Sequence, residues 1–200
     1  MVTVPRCFAG ETIVCVGTGP SLTREDVEFC RGRARVIAIK HAVEYAPWAD
    51  VLYAAGADGS QWWQRNGEAF EGFTGLRYTL DSEAAKWAQV LRWTGFNGLE
   101  TDPGALKSGK NSGYSAINLA VHLGAKRIVL LGYDQEPDAK GREHFFGAHW
   151  HKKPVPFQAF RPLFDTLIGP LAALTIQIVN ASRHTALTCF PRLPLAEALA

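Results

Sequence analysis

Several large classes of protein depend on features that this sequence has little of. Its four cysteines, Cys7, Cys15, Cys30 and Cys189, form no CxxC pair, and Cys15 falls inside an apolar strand pattern. That spacing argues for reduced thiols and against a disulfide framework or a cysteine zinc site. The longest apolar runs, near residues 127–131 and 171–179, fall short of the length, about 18 residues, that a membrane helix requires. The start MVTVPRCFAGETIVCVG has neither the long apolar stretch nor the small-residue cleavage site of a secretory signal, which makes the cytoplasm the expected compartment. Charge of one sign is scarce too. Lys and Arg number 21 against 19 Asp and Glu, a net charge of +2, and only Arg31, Arg33, Arg35 and the pair Lys152 and Lys153 cluster. A dedicated nucleic-acid binder would concentrate more positive charge on one face. The 200 residues contain no Pro/Gly/Ser linker, charge block or internal repeat, so residues 1–200 are expected to form one domain.

What is present is an alternation of short apolar strands and helical segments. Thr12–Val16, Arg35–Ile39 and Asp50–Ala55 are continuous β-rich runs, the pattern of strands buried on both faces. Thr23 followed by Glu25 and Asp26 reads as the capped start of a helix. In the middle, 59–70 reads as helical, 76–80 as a strand and 82–92 as a Trp-bearing helix. Ala116, Leu119, Ala120 and Leu123 fall at helical spacing before Gly124, and the strand 127–131 follows. Residues 157–174 show helical spacing interrupted by Pro162 and Pro170; strands are expected at 175–179 and 186–190, and a last helix at 195–199. This alternation predicts an α/β, Rossmann-like, doubly wound and mostly parallel sheet with helices on both faces. In such sheets ligands sit at the carboxyl ends of the strands, near the point where strand order reverses.

The residues after each strand are therefore the candidates for chemistry. Gly17-Thr18-Gly19-Pro20-Ser21 comes directly off the first strand. Glycines there let backbone N–H groups approach a phosphate, or serve only the angles of a strand-to-helix turn. The loop lacks the third glycine of a dinucleotide fingerprint and the lysine of a P-loop. Asp58 and Asp134 follow strands on the same edge; they suit Mg²⁺, ribose hydroxyls or a base, and equally the capping of a loop. Ser108-Gly109-Lys110-Asn111-Ser112-Gly113 precedes the clearest helix, either facing an anion or forming a flexible loop with Ser112 as N-cap. Residues 143–153 hold three of the six histidines, His144, His149 and His151, beside Lys152 and Lys153. Proton transfer near neutrality, a metal site and a purely structural aromatic loop all fit that stretch. Trp62, Trp63, Trp87 and Trp93 read as core or interface, and Lys107 and Lys110 as steering charges or a solvated face.

Taken in order, Val16–Leu22, Asn111–Gly113 with 116–124, Ile128–Asp134 and His144-Phe145-Phe146-Gly147 resemble the bacterial sialyltransferases of glycosyltransferase family 42. They also resemble related phage-encoded proteins often grouped with MptE-like pterin pyrophosphokinases. The sialyltransferase likeness implies a transferase that moves a sugar from a CMP-type nucleotide-sugar to a hydroxyl-bearing acceptor. By position, Gly17, Thr18, Gly19, Pro20 and Ser21 would form the nucleotide loop, Ser112 and Gly113 a second nucleotide contact, and His144 the base, with His149 one residue beyond the motif's second histidine. Thr18 and Asn111 depart from the family's asparagine and threonine, and Lys40 stands where asparagine is usual after the second strand. Asparagine both donates and accepts, whereas lysine only donates, so Lys40 suits an additional phosphate. The pyrophosphokinase likeness implies ATP and Mg²⁺ near Asp58 and Asp134, and a third reading is a non-catalytic nucleotide- or sugar-binding protein. No cofactor is required by these readings apart from that Mg²⁺, and homo-oligomerisation is left open.

Overall fold

Strand β1 (Thr12–Val16) lies inside a seven-stranded, wholly parallel sheet, in a computed structural model that describes residues 2–56, 61–147 and 154–200. Its neighbours are β2 (Arg35–Ile39) on one side and, much later in the chain, Arg127–Leu131 on the other. From β2 the sheet continues outward through β3 (Val51–Tyr53), β4 (Leu76–Thr79) and β5 (Gln89–Val90). A separate two-stranded arm, β6 (Arg92–Trp93) with β7 (Ala105–Leu106), follows. The chain then returns to the main sheet through β8 (Arg127–Leu131) and ends it with β9 (Gln177–Asn180). Strand order is thus 5-4-3-2-1-8-9, and the direction of winding reverses between β1 and β8. Parallel sheets of this kind place their ligand crevice at that reversal, outside the carboxyl ends of the strands.

The expected strands at 12–16, 35–39 and 127–131 form with those bounds, each buried from its second residue onward. Both sheet faces are covered, which is why the strands read as unbroken apolar runs. Ile13, Cys15, Ile37, Tyr53, Ile128 and Leu130 pack on one side against helix α3 (Ser112–Leu123). Val14, Val16, Val36, Ala38 and Leu131 pack on the other against Val27 and Cys30 of α1 (Arg24–Cys30) and against Trp62 and Trp63 of α2 (Trp62–Asn66). Thr23 caps α1 by accepting from the Asp26 N–H at 3.2 Å, and Gly124 closes α3 in a left-handed conformation, φ 101°. All four cysteines are free thiols, and burial pushes Cys15 up to about 12. Among the described residues no helix is long and apolar enough to cross a membrane.

Three expected elements differ. The Trp-bearing helix over 82–92 is only a 3-10 turn at Ser82–Ala84, because β4 takes Gln89 and Val90 as a parallel neighbour and Trp87 is buried beneath Gly67. Tertiary pairing overrides the helical pattern there. The long 157–174 segment breaks between helices α4 (Phe157–Asp165) and α5 (Ile168–Ala173), not at its prolines; Pro162 lies within α4. Thr166 ends α4: its hydroxyl donates to the Leu163 carbonyl and accepts from the Gly98 N–H at 2.9 Å, a side-chain alternative to the helical ladder. The strand over 186–190 does not form; Asn180 instead bridges to Arg192, ahead of α6 (Leu195–Ala198).

Helix α3 is buried along nearly its whole length, and two of its buried polar residues, Asn118 and His122, hold the β6–β7 arm. Asn118 Oδ1 accepts from the N–H groups of Glu100 (2.8 Å) and Lys107 (3.2 Å), its Nδ2 donates to the Glu100 carbonyl (3.0 Å), and His122 Nε2 donates to the Ala105 carbonyl (3.0 Å). Asn118→Ala leaves three backbone groups without their partner, so it is expected to cost about 3 kcal/mol in a urea unfolding series. Unchanged stability would show that the arm is not fastened through this side chain.

Candidate functional site

At the reversal between β1 and β8 a cavity of about 410 Å³ opens, within the range of roughly 300–1,000 Å³ typical of small-molecule sites. Gly17, Thr18 and Gly19 form one wall, Lys110 to Gly113 a second, and Gly132, Tyr133 and Gln135 a third; Lys40, Glu143 and His144 reach the rim and Phe157 and Phe160 supply an apolar side. The sheet topology therefore brings together three motifs that lie far apart in sequence. Pro20, Ser21 and Asp134 sit behind this lining rather than in it.

The glycine loop is shaped by close packing against the end of β8. Neither Gly17 nor Gly19 has a positive φ. Both are needed because the loop runs hard against the end of β8: a methyl group on Gly17 would lie 2.6 Å from the Gly132 carbonyl oxygen, and one on Gly19 2.7 Å from the same oxygen and against Asp134. The close approach uses up the backbone donors. Gly17 N–H bonds to the Leu131 carbonyl (2.7 Å), Gly19 N–H to that of Gly132 (2.8 Å) and Ser21 N–H to Asp134 Oδ2 (2.8 Å), while Pro20 has none. Thr18 retains the open N–H of this loop.

The helix dipole at the cavity likewise belongs to α3, not α1. Glu25 and Asp26 occupy the first turn of α1, whereas that of α3 carries no acidic residue and lines the cavity. Asn111, rather than Ser112, caps α3, accepting from the Tyr114 N–H at 2.9 Å. The Ser112 hydroxyl accepts from the Ala55 N–H (3.2 Å), tying the helix start to the end of β3, and Gly113 is fitted to Tyr133, whose hydroxyl donates to the Gly113 carbonyl (2.9 Å). The backbone N–H groups of Ser112 and Gly113 remain at the positive end of a 12-residue helix.

Asp134 is 2% exposed and both its oxygens are engaged by Ser21, Oδ2 by the N–H and Oδ1 by the hydroxyl at 2.9 Å. It fixes the back of the glycine loop. Burial pushes its carboxyl above the ordinary range, against the opposing hydrogen bonds of Ser21 and the charge of His184. The folded chain thus holds this proton where the unfolded chain has released it, and the stability linked to Asp134 falls as pH rises from about 4 through the raised value. Asp134→Asn, which keeps an acceptor and adds a donor for Ser21, is expected to gain on wild type over that window in parallel urea titrations. A difference that stays flat with pH would contradict this.

His144 is buried to 8% exposure, and its Nδ1 lies 2.9 Å from Thr18 Oγ1. The loop that carries it is pinned: Phe145 N–H donates to the Thr18 carbonyl (3.1 Å), Phe146 stacks on the His144 ring at 4.9 Å and meets His41 at a tilt of 48° and 4.4 Å, and Phe145 packs on Tyr45 at 4.3 Å. The apolar residues beside the histidine thus account for its placement.

Three of the five non-glycine residues with positive φ among the described residues line this one cavity: Lys40 (52°), Lys110 (62°) and Gln135 (55°). Each such conformation costs about 1–2 kcal/mol. Strain of this kind concentrates at functional sites, where it aims side chains. Gln135, Tyr133 and Phe157 are cavity residues that the sequence does not mark, the position of Gln135 just past Gly132-Tyr133-Asp134 being the available signal, whereas Lys110 is one of the expected steering charges. Asp58, His149, His151, Lys152 and Lys153 lie outside the described residues. Arg183 pairs with Asp26 and Arg192 holds the Ser182 and Arg183 carbonyls, so both brace the C-terminal segment away from the cavity. Among the described residues no group of three or more His, Cys, Asp or Glu is placed to hold a metal ion.

Fold and cavity together describe a Rossmann-like α/β protein with a cavity of small-molecule size at the reversal of strand order. The solved structure of the sialyltransferase CstII from Campylobacter jejuni, in complex with the substrate analogue cytidine-5'-monophosphate, superposes on it with a TM-score of 0.51, covering 92% of this chain and 85% of that one at 14% identity. At that identity the likeness is one of fold. No protein-family model and no curated protein matches the sequence, and nothing in these comparisons bears on the phage or pterin pyrophosphokinase likeness.

Proposed function

We propose that the protein is a nucleotide-sugar-dependent glycosyltransferase, of the CMP-sugar type, acting on a hydroxyl-bearing acceptor. The observation that carries this reading is the placement of His144 against Thr18, on the rim of a cavity whose far wall is the α3 N-terminus. The Ser112 and Gly113 N–H groups, with Lys110 and Lys40, would take acceptor oxygens of the nucleotide and stabilise the charge that grows on its phosphate as the sugar departs. In the tautomer whose Nδ1–H donates to Thr18 Oγ1, the imidazole lone pair is on Nε2, which would take the proton of the acceptor hydroxyl. The acceptor oxygen forms the new bond to the anomeric carbon, the bond from that carbon to the phosphate oxygen breaks, and CMP leaves with the electron pair. The structural likeness to a CMP-binding sialyltransferase supports the nucleotide class. CMP release from a panel of CMP-activated sugars, with and without hydroxyl acceptors, tests the reading: acceptor-dependent release is expected, and a chain that binds no cytidine nucleotide would overturn it.

A further inference from the structure

The two exposed large aromatic side chains among the described residues stand next to each other, and next to this cavity. Trp93 is 50% exposed and Phe96 42%, their rings 5.1 Å apart at 60°, at the tip of the β6–β7 arm. Burying Trp87 and Trp63 while leaving Trp93 outside is not a shortage of core, since Asn118 and His122 hold the arm firmly. The pair is also held in a set orientation. Trp93 Nε1 donates to Ser108 Oγ (3.1 Å), Ser108 N–H to the Gly95 carbonyl (2.9 Å) and Gly109 N–H to the Phe96 carbonyl (3.0 Å). The next residue, Lys110, lines the cavity and carries its ammonium 5.2 Å from the Phe96 ring centre. The aromatic pair therefore borders one residue of the α3 wall, and is preorganised rather than loose.

We infer that Trp93 and Phe96 form a saccharide-binding subsite, which holds the sugar chain of the acceptor while its reactive end enters the cavity. The indole N–H is spent internally, so what faces outward is apolar ring surface, matched to the C–H face of a pyranose. About half of each ring system is exposed, on the order of 200 Å², enough for one sugar ring but far below the roughly 800 Å² per partner of a stable interface between copies. Three basic side chains flank the pair, and each is already engaged within the chain: Arg92 by Asp102, the Lys107 ammonium by the Thr94 carbonyl (3.2 Å) and the Lys110 ammonium by the Phe96 ring. Naming the saccharide as an acceptor rests on the transferase reading; its binding does not.

The test is a printed glycan array probed with the full chain, wild type against Trp93→Ala, Phe96→Ala and the double variant, with sedimentation and oligothymidylate binding measured on the same samples. Wild type is expected to retain one class of oligosaccharide, and each single variant to lose about tenfold of that affinity. The thermal shift caused by CMP should be unchanged in all variants, which also shows that they fold. Absence of glycan binding, equal binding by the double variant, pair-dependent binding of oligothymidylate alone, or a drop in oligomeric mass on substitution would each overturn the assignment. Glycan binding without any CMP shift would leave this subsite standing and remove the transferase reading instead.

Discussion

His144→Ala is expected to lower acceptor-dependent CMP release by roughly 10²- to 10⁴-fold, the usual contribution of a positioned general base, and to leave cytidine nucleotide binding in place. The separation follows from geometry: His144 meets the cavity beside Thr18, whereas the donors proposed for the nucleotide lie at the α3 N-terminus and on Lys110. His144→Gln sharpens the test. Its amide can still meet Thr18 Oγ1, so the Phe145–Phe146 loop keeps its anchor, but it takes no proton near neutral pH. Both variants are expected to lose rate to the same degree with unfolding midpoints close to wild type. Full turnover in either would remove His144 from the chemistry. Loss of nucleotide binding in His144→Ala, restored in His144→Gln, would make the residue a support for the loop.

Gly19→Ala is expected to damage both stability and the cavity. The added carbon has no room against the Gly132 carbonyl and the Asp134 carboxylate, and neither can retreat: Gly132 ends β8 at φ 70°, and Asp134 is clamped by Ser21. Overpacking against backbone costs about 3 kcal/mol here, or ~10 °C in melting temperature for a chain of this size. Relief by displacement would carry Thr18 with it, so ligand binding should fall along with stability. Gly72→Ala, where the new carbon meets nothing within 4 Å, is the control. Equal tolerance of the two substitutions would mean that β1 and β8 do not meet as closely as described.

Much of the architecture was legible because parallel strands buried on both faces declare themselves as short continuous apolar runs, and β1, β2 and β8 have the expected bounds. The capped start of α1 and the glycine stop of α3 were equally plain. What failed was local in each case: the 82–92 helix yielded to edge pairing with β4, and the break after Asp165 came from the Thr166 side chain rather than from a proline. Around the cavity, the order of motifs picked out loops that do line it, but not what their atoms do. The glycines after β1 read as a phosphate cradle, and in the fold their N–H groups are taken by Leu131 and Gly132. No sequence pattern encodes that contact, because it depends on a register between strands more than a hundred residues apart. The strained backbones of Lys40, Lys110 and Gln135 were unreadable for the same reason, and so was the pairing of Trp93 with Phe96.

The central claim is that the cavity between β1 and β8 takes a cytidine nucleotide, and the most direct measurement is a thermal-shift panel of CMP, CDP, UDP, GDP, ATP and NAD, each with and without Mg²⁺. A ligand that binds only the folded chain raises its apparent stability. The expected result is a rise selective for CMP and CDP that does not require Mg²⁺ and is lost in Gly113→Ala, whose methyl group would press on Tyr133. A Mg²⁺-dependent rise with ATP alone, or no rise with any nucleotide, would contradict it.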